Sequence, residues 1–279
     1  MNNWTTVITP KRKWYDFNIK ELIQYRDLVF MFVKRSFTSQ YKQTILGPLW
    51  FIINPLLTSF ISTVVFGGIA GIKTGEVPYF LFYLCGFTLW NYFATCVNQT
   101  STTFSTNANI MGKVYFPRLT MPISSVIFAA INMLVVFVMT VMVMIVYSFK
   151  GCPIRPNIYL VLLPVLVIQT AALGLGVGII VSSLTTKYRD LVVLVSFGVN
   201  LWMYATPVVY PLEQVSGKLR TAVLINPMSA VINNFRYALL GEGEFEFFWW
   251  IVSIVVTFIM LLLGILLFNK VEKTFMDTV

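Results

Sequence analysis

The chain has 279 residues, of which 57% are hydrophobic and 11% are charged; its mean hydropathy is +0.78 and its net charge is +9. Soluble domains carry about 25% charged residues, so this composition excludes a water-soluble globular protein and predicts one embedded in lipid. The absence of histidine from the sequence excludes histidine proton relays, Ser-His and Cys-His nucleophile pairs and most zinc sites.

The most polar part of the chain comes first and is a predicted cytoplasmic segment, 1–42. Within it, residues 19–37 have the 3.6-residue periodicity of an amphipathic helix. Its apolar side contains Ile19, Leu22, Ile23, Val29, Phe30, Val33 and Phe37, with Arg26 among them, and Leu28 and Phe32 interrupt the pattern. Its polar side contains Lys20, Gln24, Asp27, Lys34 and Arg35. We expect this helix to lie in the membrane interface; a cytoplasmic helix packed on a partner protein is the alternative.

Six long stretches without a charged residue follow: 43–72, 77–112, 119–149, 156–186, 191–212 and 247–269. Roughly 20 apolar residues in a helix cross the hydrocarbon core of a bilayer, so each stretch can supply one transmembrane helix. The predicted fold is an all-α integral membrane protein with one transmembrane domain over residues 43–279. Its six spans are expected at about 46–67, 78–98, 119–148, 158–183, 191–209 and 247–268.

The segment 210–245, between the last two predicted spans, is too polar to face lipid. Irregular backbone at membrane depth is tolerated only against protein or water. We therefore expect two short re-entrant helices on the outer side, which form a gate. The residues of this predicted gate are Pro207, Tyr210, Asn226, Pro227 and Arg236.

The distribution of basic residues predicts the orientation. Fourteen of the 20 Lys and Arg residues fall before the first predicted span or in alternate connections after it, and six fall in the others. Because positive charge is retained in the cytoplasm, this bias predicts six spans with both termini cytoplasmic. The basic net charge then faces anionic lipid headgroups, and we expect no nucleic-acid partner.

The charge-free stretches also exclude one class of transporter. Ion-coupled carriers usually keep an ionisable residue inside the membrane, and these stretches contain no Asp, Glu, Lys, Arg or His. The glycines Gly174, Gly176 and Gly178 lie inside an apolar stretch without a following Lys-Ser/Thr pair. They therefore do not form a phosphate-binding loop, and Gly174 and Gly178, four residues apart, indicate a close helix-packing face.

The sequence contains no Walker A pattern, so we expect this chain to bind no nucleotide and to be no enzyme. Three cysteines lack metal-ligand spacing, and we expect no metal or other cofactor in the chain. A membrane-embedded glycosyl or acyl transferase stays a distant alternative, since the one acid cluster, Glu242, Glu244 and Glu246, reads as a solvated turn.

An ordered set of short motifs resembles the ABC transporter type-2 permeases of the polysaccharide-export group, which export O-antigen, capsule or teichoic acid chains. The motifs are Tyr25-Arg26-Asp27-Leu28, Val33-Lys34-Arg35, Tyr41-Lys42-Gln43-Thr44-Ile45-Leu46-Gly47-Pro48-Leu49-Trp50, Asn54-Pro55-Leu56, Asn107-Ala108-Asn109, Lys113-Val114-Tyr115-Phe116-Pro117-Arg118, Tyr188-Arg189-Asp190, Thr206-Pro207-Val208, Tyr210-Pro211, Asn226-Pro227-Met228 and Arg236-Tyr237-Ala238-Leu239-Leu240. The resemblance covers the chain from about residue 20 to the end.

The resemblance implies a permease in the bacterial inner membrane that moves an undecaprenyl-type lipid-linked polysaccharide, such as O-antigen in lipopolysaccharide biosynthesis. It implies two copies of this chain and two copies of an ABC ATPase subunit, which holds the ATP and Mg. It also implies a coupling helix at about 100–116 that docks on the ATPase, with the candidate residues Asn107, Asn109, Lys113, Tyr115, Phe116 and Arg118. For Lys113 and Arg118, plain anchoring of the topology is an alternative role. Export of teichoic acid, a small lipid or a drug is the alternative function.

Aromatic residues make up 16% of the chain, and aromatic faces stack on the C–H faces of sugar rings. The predicted sugar path, between the two copies, is lined by Trp50, Trp90, Tyr92, Trp202 and Tyr204. The alternative for each of them is a place in the protein core or in an interfacial aromatic belt.

Overall fold

The computed structural model describes residues 19–42, 47–111, 113–114, 116–185 and 190–278. These residues form α-helices joined by short turns, and no strand occurs among them. The helices are α1 Ile19–Gln24, α2 Arg26–Tyr41, α3 Trp50–Ser62, α4 Tyr79–Ser101, α5 Thr103–Met111, α6 Thr120–Phe149, α7 Leu163–Thr185, α8 Leu191–Tyr204, α9 Gly217–Ile225, α10 Pro227–Leu240 and α11 Phe247–Thr278. The predicted all-α fold is confirmed for the described part of the chain.

Five segments are long and apolar enough to cross a membrane, counting only the described residues: Trp50–Ile69, Tyr79–Ser101, Thr120–Phe149, Ile158–Thr185 and Phe247–Val271. They match five of the six predicted spans to within a few residues. The sixth, predicted over 191–209, is α8, which is apolar but has only 14 residues. It ends at Tyr204, ahead of Thr206 and Pro207, because proline cannot donate to a continuing helix.

The first span is continuous but not uniformly α-helical. After α3 the chain continues as a π-helical segment, Thr63–Ile69. Gly67 lies in it against the ring of Tyr79, and a Cβ there would stand 2.9 Å from the ring carbon Cγ. Pro55 lies inside α3, where its missing N–H removes one helical hydrogen bond.

Helix α4 is the centre of the bundle and is buried on almost every side between Leu81 and Trp90. Helix α7 runs parallel to α4, and α11 runs parallel to α7 on its other side. Gly174 and Gly178 face α4, where added Cβ atoms would meet the Cβ of Cys96 at 2.6 Å and the side chain of Thr100. Gly176 faces α11, where a Cβ would stand 2.8 Å from the backbone nitrogen of Leu261. The predicted packing face of Gly174 and Gly178 is thus confirmed, and Gly176 packs against a second neighbour that was not predicted.

The contacts of α2 differ from the predicted amphipathic pattern. Val29, Phe32 and Val33 are buried, whereas Ile23 and Phe30 are 61% and 63% exposed. Phe32, expected to interrupt the apolar side, packs instead in a cluster with residues of α5, α6, α7 and α11. Helix α2 also lies along α6. The buried side is therefore set by protein neighbours, and the side with Ile23 and Phe30 stays free.

The two ends of the bundle are distinct. At the α5 end, the rings of Phe104 and Phe268 stack with centroids 4.6 Å apart, which joins the start of α5 to α11 in a cluster that includes Phe32 of α2. At the opposite, α10 end, α10 is enclosed by α4, α7, α9 and α11. The Trp250 indole N–H donates to Oε1 of Gln169 at 2.8 Å, and the Gln169 amide donates to the Ser253 hydroxyl at 2.7 Å. This network joins α7 to the start of α11.

Candidate functional site

A cavity of about 370 Å³ opens between α3, α4 and α6, and we call it the central cavity. Its polar lining residues are Gln40, Asn54, Thr58, Thr88, Asn91, Tyr92, Thr95, Asn98, Gln99 and Asn132, and Trp50, Phe51, Pro55, Ala94, Ala129, Met133 and Val136 complete it. No Asp, Glu, Lys or Arg occurs among the described residues that line it. The cavity falls within the size range of ordinary small-molecule sites, but it is unusually rich in neutral hydrogen-bonding groups.

The polar wall of the central cavity comes mainly from one face of α4. Thr88, Asn91, Thr95, Asn98 and Thr102 recur every three or four residues, which is the spacing of a single helical stripe. Thr102 lies just past α4 in the adjoining cavity described below. At 1.5 Å per residue the stripe is about 21 Å long. The sequence prediction missed the stripe, although the regular spacing of its polar residues inside a charge-free stretch was a usable signal.

The two facing helices complete the central cavity differently. On α6, Asn132 lies opposite the α4 stripe, and Thr140 meets Thr88 with their hydroxyl oxygens 3.0 Å apart. That contact ends the stripe towards the α10 end. On α3, Asn54 and Thr58 are exposed, so this side of the cavity is not covered by the described part of the chain.

The chemistry of the central cavity suits an uncharged ligand with many hydroxyl groups. Amides both donate and accept hydrogen bonds, and the buried Oδ1 of Asn98 has no partner among the described residues. Trp50, 45% exposed, and Tyr92 add aromatic surface to the same cavity. No cluster of three or more Cys, Asp or Glu suited to a metal occurs in the described ranges.

A second cavity, of about 330 Å³, lies at the α5 end of the bundle, and we call it the α5-end cavity. It lies between α2, the end of α4, α5 and the start of α6, and its lining residues are Phe32, Arg35, Ser36, Ser39, Gln40, Gln99, Thr102, Thr106, Asn107, Met121, Ser124, Ser125 and Phe128. Gln40 and Gln99 line both cavities, so the two adjoin.

Comparison with known proteins places this arrangement in a family. The family model described as ABC-2 type transporter matches residues 27–240, more than half of the chain. The chain belongs to the ABC-2 type transporter family. It is 29% identical to the O-antigen export system permease protein RfbA of Klebsiella pneumoniae over 253 residues, which cover 90% of this chain and 94% of that protein. It is also 29% identical to the O-antigen export system permease protein RfbA of Myxococcus xanthus over 220 residues, covering 78% and 82%.

The structure separates the aromatic residues predicted to line a sugar path in this ABC-2 transporter chain. Trp50 and Tyr92 come together in the central cavity. Trp90 is 2% exposed, with its ring centroid 5.3 Å from that of Phe93 in the core. Trp202 is half-buried against the other side of Phe93 at 5.2 Å. Tyr204 is exposed and lines a separate, largely apolar groove of about 490 Å³ near α9.

The predicted coupling residues of the ABC-2 chain have unequal access to a partner. Asn109, on α5, and Lys113, just after it, are exposed. The Asn107 amide donates to the carbonyl of Thr103 at 3.1 Å. Phe116 is buried against Phe32, with ring centroids 5.8 Å apart. Arg118 is half-buried, and Tyr115 lies outside the described residues.

The three basic residues singled out on the predicted amphipathic helix, Arg26, Lys34 and Arg35, are all on the surface. Arg26 lies 3.8 Å from the carboxylate of Asp27, and both side chains are exposed. Lys34 and Arg35 are exposed as well, but only Arg35 lines the α5-end cavity.

The predicted gate residues of the ABC-2 chain converge at the α10 end. Arg236 is 2% exposed and donates from its two terminal nitrogens to the carbonyls of Pro207 and Val208, both at 3.1 Å. The Asn226 amide donates to the hydroxyl of Thr206 at 2.7 Å, so α10 holds the chain that follows α8 at two points. The other two gate residues are Pro227, whose carbonyl accepts from Ser253 at 2.7 Å, and Tyr210, which is half-buried.

The loop after α10 carries the acid cluster noted in the sequence. Arg220 pairs with Glu246 at 2.6 Å and lies 3.9 Å from Glu244. Glu242 is different: partial burial, with Glu213 and then Glu76 nearby, raises the pKa of its carboxyl above the ordinary value. Glu246 and Glu242 are thus partly enclosed by the protein, whereas Glu244, with its side chain 80% exposed, is solvated as the sequence predicts.

Proposed function

We propose that this chain is the permease subunit of an ABC exporter that moves a lipid-linked, O-antigen-like polysaccharide across the bacterial inner membrane. The observation that carries the proposal is the central cavity, where amides, hydroxyls and three aromatic rings line one space and none of the described lining residues is charged. Sugars present hydroxyl groups that pair with amides and C–H faces that pack on aromatic rings. The names of the RfbA relatives support the same substrate class.

The energy for transport is proposed to come from a separate ATPase. The sequence has no Walker A pattern, and the charge-free stretches lack the ionisable groups of ion-coupled carriers. Membership in the ABC-2 family implies an ABC ATPase as partner. We place its docking surface at α5 and the following turn, where Asn109 and Lys113 are exposed, with ATP and Mg on that partner.

A second copy of this chain is proposed to complete the sugar path. The central cavity is uncovered along α3, where Asn54 and Thr58 are exposed. Amides exposed within a membrane-spanning helix are costly to place against lipid. A second copy facing this side would cover them and turn the half-open cavity into an enclosed one, with two copies of the ATPase below the pair.

For the topology, we propose six crossings with both termini in the cytoplasm and a re-entrant segment at 210–245. Helices α7 and α11 run parallel, so the chain between Thr185 and Phe247 has to return from the α5 end to the α10 end. Helix α8 and the anchored residues after it are the segment available for that return. The basic residues of α2 and of the turn after α5 favour the α5 end as the cytoplasmic one.

The test is surface display of O-antigen in cells that depend on this chain for export. Trp50→Leu and Asn91→Leu each remove one sugar-binding group from the central cavity and are expected to lower surface polysaccharide several-fold at unchanged protein level. Phe60→Leu is the matched control, because Phe60 is 60% exposed on the same helix as Trp50 and does not line the cavity. Normal display in both cavity variants, or normal display in cells lacking the chain, would contradict the proposal.

A further inference from the structure

The α5-end cavity contains one positive charge without a neutralising partner among the described residues. Arg35 is the one charged side chain among the described residues that line it. Among the described residues, no carboxylate lies within 4.0 Å of the Arg35 guanidinium, in contrast to Arg26 on the same helix. A guanidinium that faces a cavity without a carboxylate is suited to an anionic ligand.

Hydrogen-bonding groups surround Arg35 on both sides of the cavity. Ser36, Ser39 and Gln40 continue the same wall of α2, and their side chains form no hydrogen bond with other described residues. Thr106 faces them from α5. Hydroxyl and amide donors combined with one guanidinium are the usual partners of a phosphate group.

The position of the cavity indicates where such a phosphate would come from. Helix α2 exposes Ile23, Phe30 and Met31 on a side that also carries the exposed charges of Asp27 and Lys34, a combination that suits a helix at the membrane interface. The charge-free stretches that contain α4 and α6 run over 77–112 and 119–149, and Asn107 and Met121, near the facing ends of these stretches, line the same cavity. The α5-end cavity thus lies at the depth of lipid headgroups, where phosphates are carried by membrane lipids.

We infer that the α5-end cavity binds the phosphate of a membrane lipid, with the Arg35 guanidinium donating to the phosphate oxygens. The shared chemistry is a phosphate ester on a lipid, as found in a polyprenyl phosphate and in a phospholipid. Gln40 and Gln99 line both cavities, so a sugar attached to that phosphate would extend into the central cavity. The placement of the sugar in the central cavity rests on the proposed function, whereas the phosphate site does not.

The experiment measures binding of four probes to the full-length chain in a phosphate-free maltoside detergent, by titration in native mass spectrometry. The probes are undecaprenyl phosphate, phosphatidylglycerol, undecaprenol and inorganic phosphate. We expect undecaprenyl phosphate to bind at least about tenfold more tightly than undecaprenol or inorganic phosphate, because a hydrogen bond to a charged group adds to the lipid contacts. Arg35→Gln is expected to weaken the binding of undecaprenyl phosphate by about tenfold or more. Its melting temperature shows whether the variant is folded.

Lys34→Gln is the matched control, since Lys34 is the neighbouring exposed cation and does not line the cavity. It should leave binding within about twofold of the unaltered chain if general electrostatic attraction is minor. Equal losses in the two variants, unchanged binding in folded Arg35→Gln, or equal affinity for undecaprenol would each overturn the inference. Comparable binding of phosphatidylglycerol supports a site for any lipid phosphate, and weaker binding supports a polyprenyl-selective one. Failed polysaccharide export alongside intact binding would count against the proposed function alone.

Discussion

The guanidinium carbon of Arg236 lies 3.6 Å from the centre of the Phe82 ring, so a buried cation of α10 rests on an aromatic face of α4. The same group donates to the carbonyls of Pro207 and Val208, which lie in the segment that follows α8. Gly86 leaves room for it, since a Cβ there would stand 2.7 Å from an Arg236 nitrogen. Arg236 therefore ties three parts of the α10 end together.

Replacing Arg236 is expected to destabilise the protein strongly. Arg236→Ala leaves two buried carbonyls without donors and opens a void, at a cost of about 2–4 kcal/mol in the free energy of unfolding. Arg236→Lys should cost less but not restore stability, because an ammonium cannot reach two carbonyls with the geometry of a planar guanidinium. Thermal melts in detergent measure both. Lys218→Ala, at an exposed position on α9, is the control, and an equal melting temperature for all three variants would refute this role.

The glycine contacts predict a sharp difference between two Gly→Ala substitutions in apolar helices. Gly176→Ala places a Cβ 2.8 Å from the Leu261 backbone nitrogen, which cannot move without separating α7 from α11. We expect a loss of about 2–4 kcal/mol. Gly198→Ala, in α8, meets nothing within 4 Å and is expected to be neutral or stabilising by up to about 1 kcal/mol, as helix propensity predicts. Similar melting temperatures for the two variants would show that the α7–α11 contact tolerates the added atom.

How far the sequence predicts this fold can be judged from α4 and α2. The predicted span 78–98 matches α4, Tyr79–Ser101, because a helix that crosses a bilayer can be recognised from its length and hydropathy alone. For α2 the predicted pattern holds only in part: Ile23 and Phe30 are exposed, whereas Val29 and Val33 of the same predicted apolar side are enclosed by protein. The helix is apolar on two sides, and only its neighbours decide which residues are enclosed. The length of α8 was overestimated, since an apolar run continues through Thr206 and Pro207 although the helix does not.

The candidate site was less predictable than the helices. Trp50 and Trp90 are both tryptophans in charge-free stretches, so their sequence surroundings do not distinguish them. In the structure Trp50 lines the central cavity and Trp90 is packed in the core. Burial depends on which helices meet, and this information is not local in the sequence. The α4 stripe could have been found from its spacing, whereas the α5-end cavity arises only from the contact of α2 with α5 and α6.

Docking of the ATPase is expected to depend on the exposed side of the α5 turn. Lys113→Glu reverses the charge of an exposed residue there and should weaken co-purification of the ATPase subunit, because charge reversal at a docking surface removes complementarity. Lys73→Glu makes the same change at an exposed position near the opposite end. If both variants retain the ATPase equally well, Lys113 serves only as a topology anchor. The purified chain alone should show no ATP turnover.

Acidification should change stability through Glu242, which lies outside the spans. The pKa of Glu242 is raised in the folded protein by burial, then by Glu213 and Glu76, so the folded state binds a proton more readily than the unfolded state. Stability from this group therefore rises as pH falls through the raised pKa and levels off below the ordinary value near 4.3. Glu242→Gln should raise the melting temperature at pH 8 by about 1–2 °C and reduce its gain between pH 8 and pH 5.

Glu244→Gln is the comparison for that measurement, since Glu244 is exposed and lies 3.9 Å from Arg220. It should leave the pH dependence unchanged. If the melting temperature of Glu242→Gln depends on pH in the same way as that of the unaltered chain, the Glu242 carboxyl is stabilised by solvent in the folded state.

Helix α8 has 14 residues, so it reaches about 21 Å, whereas the hydrocarbon core of a bilayer is about 30 Å thick. Its outward residues are nonetheless strongly apolar, with Val193 and Phe197 72% and 61% exposed. A bilayer that meets a short apolar helix thins locally, at a modest energy per ångström of hydrophobic mismatch. We expect the membrane beside α8 to be thinner than elsewhere around the protein, which shortens the distance that a lipid headgroup travels between the two leaflets.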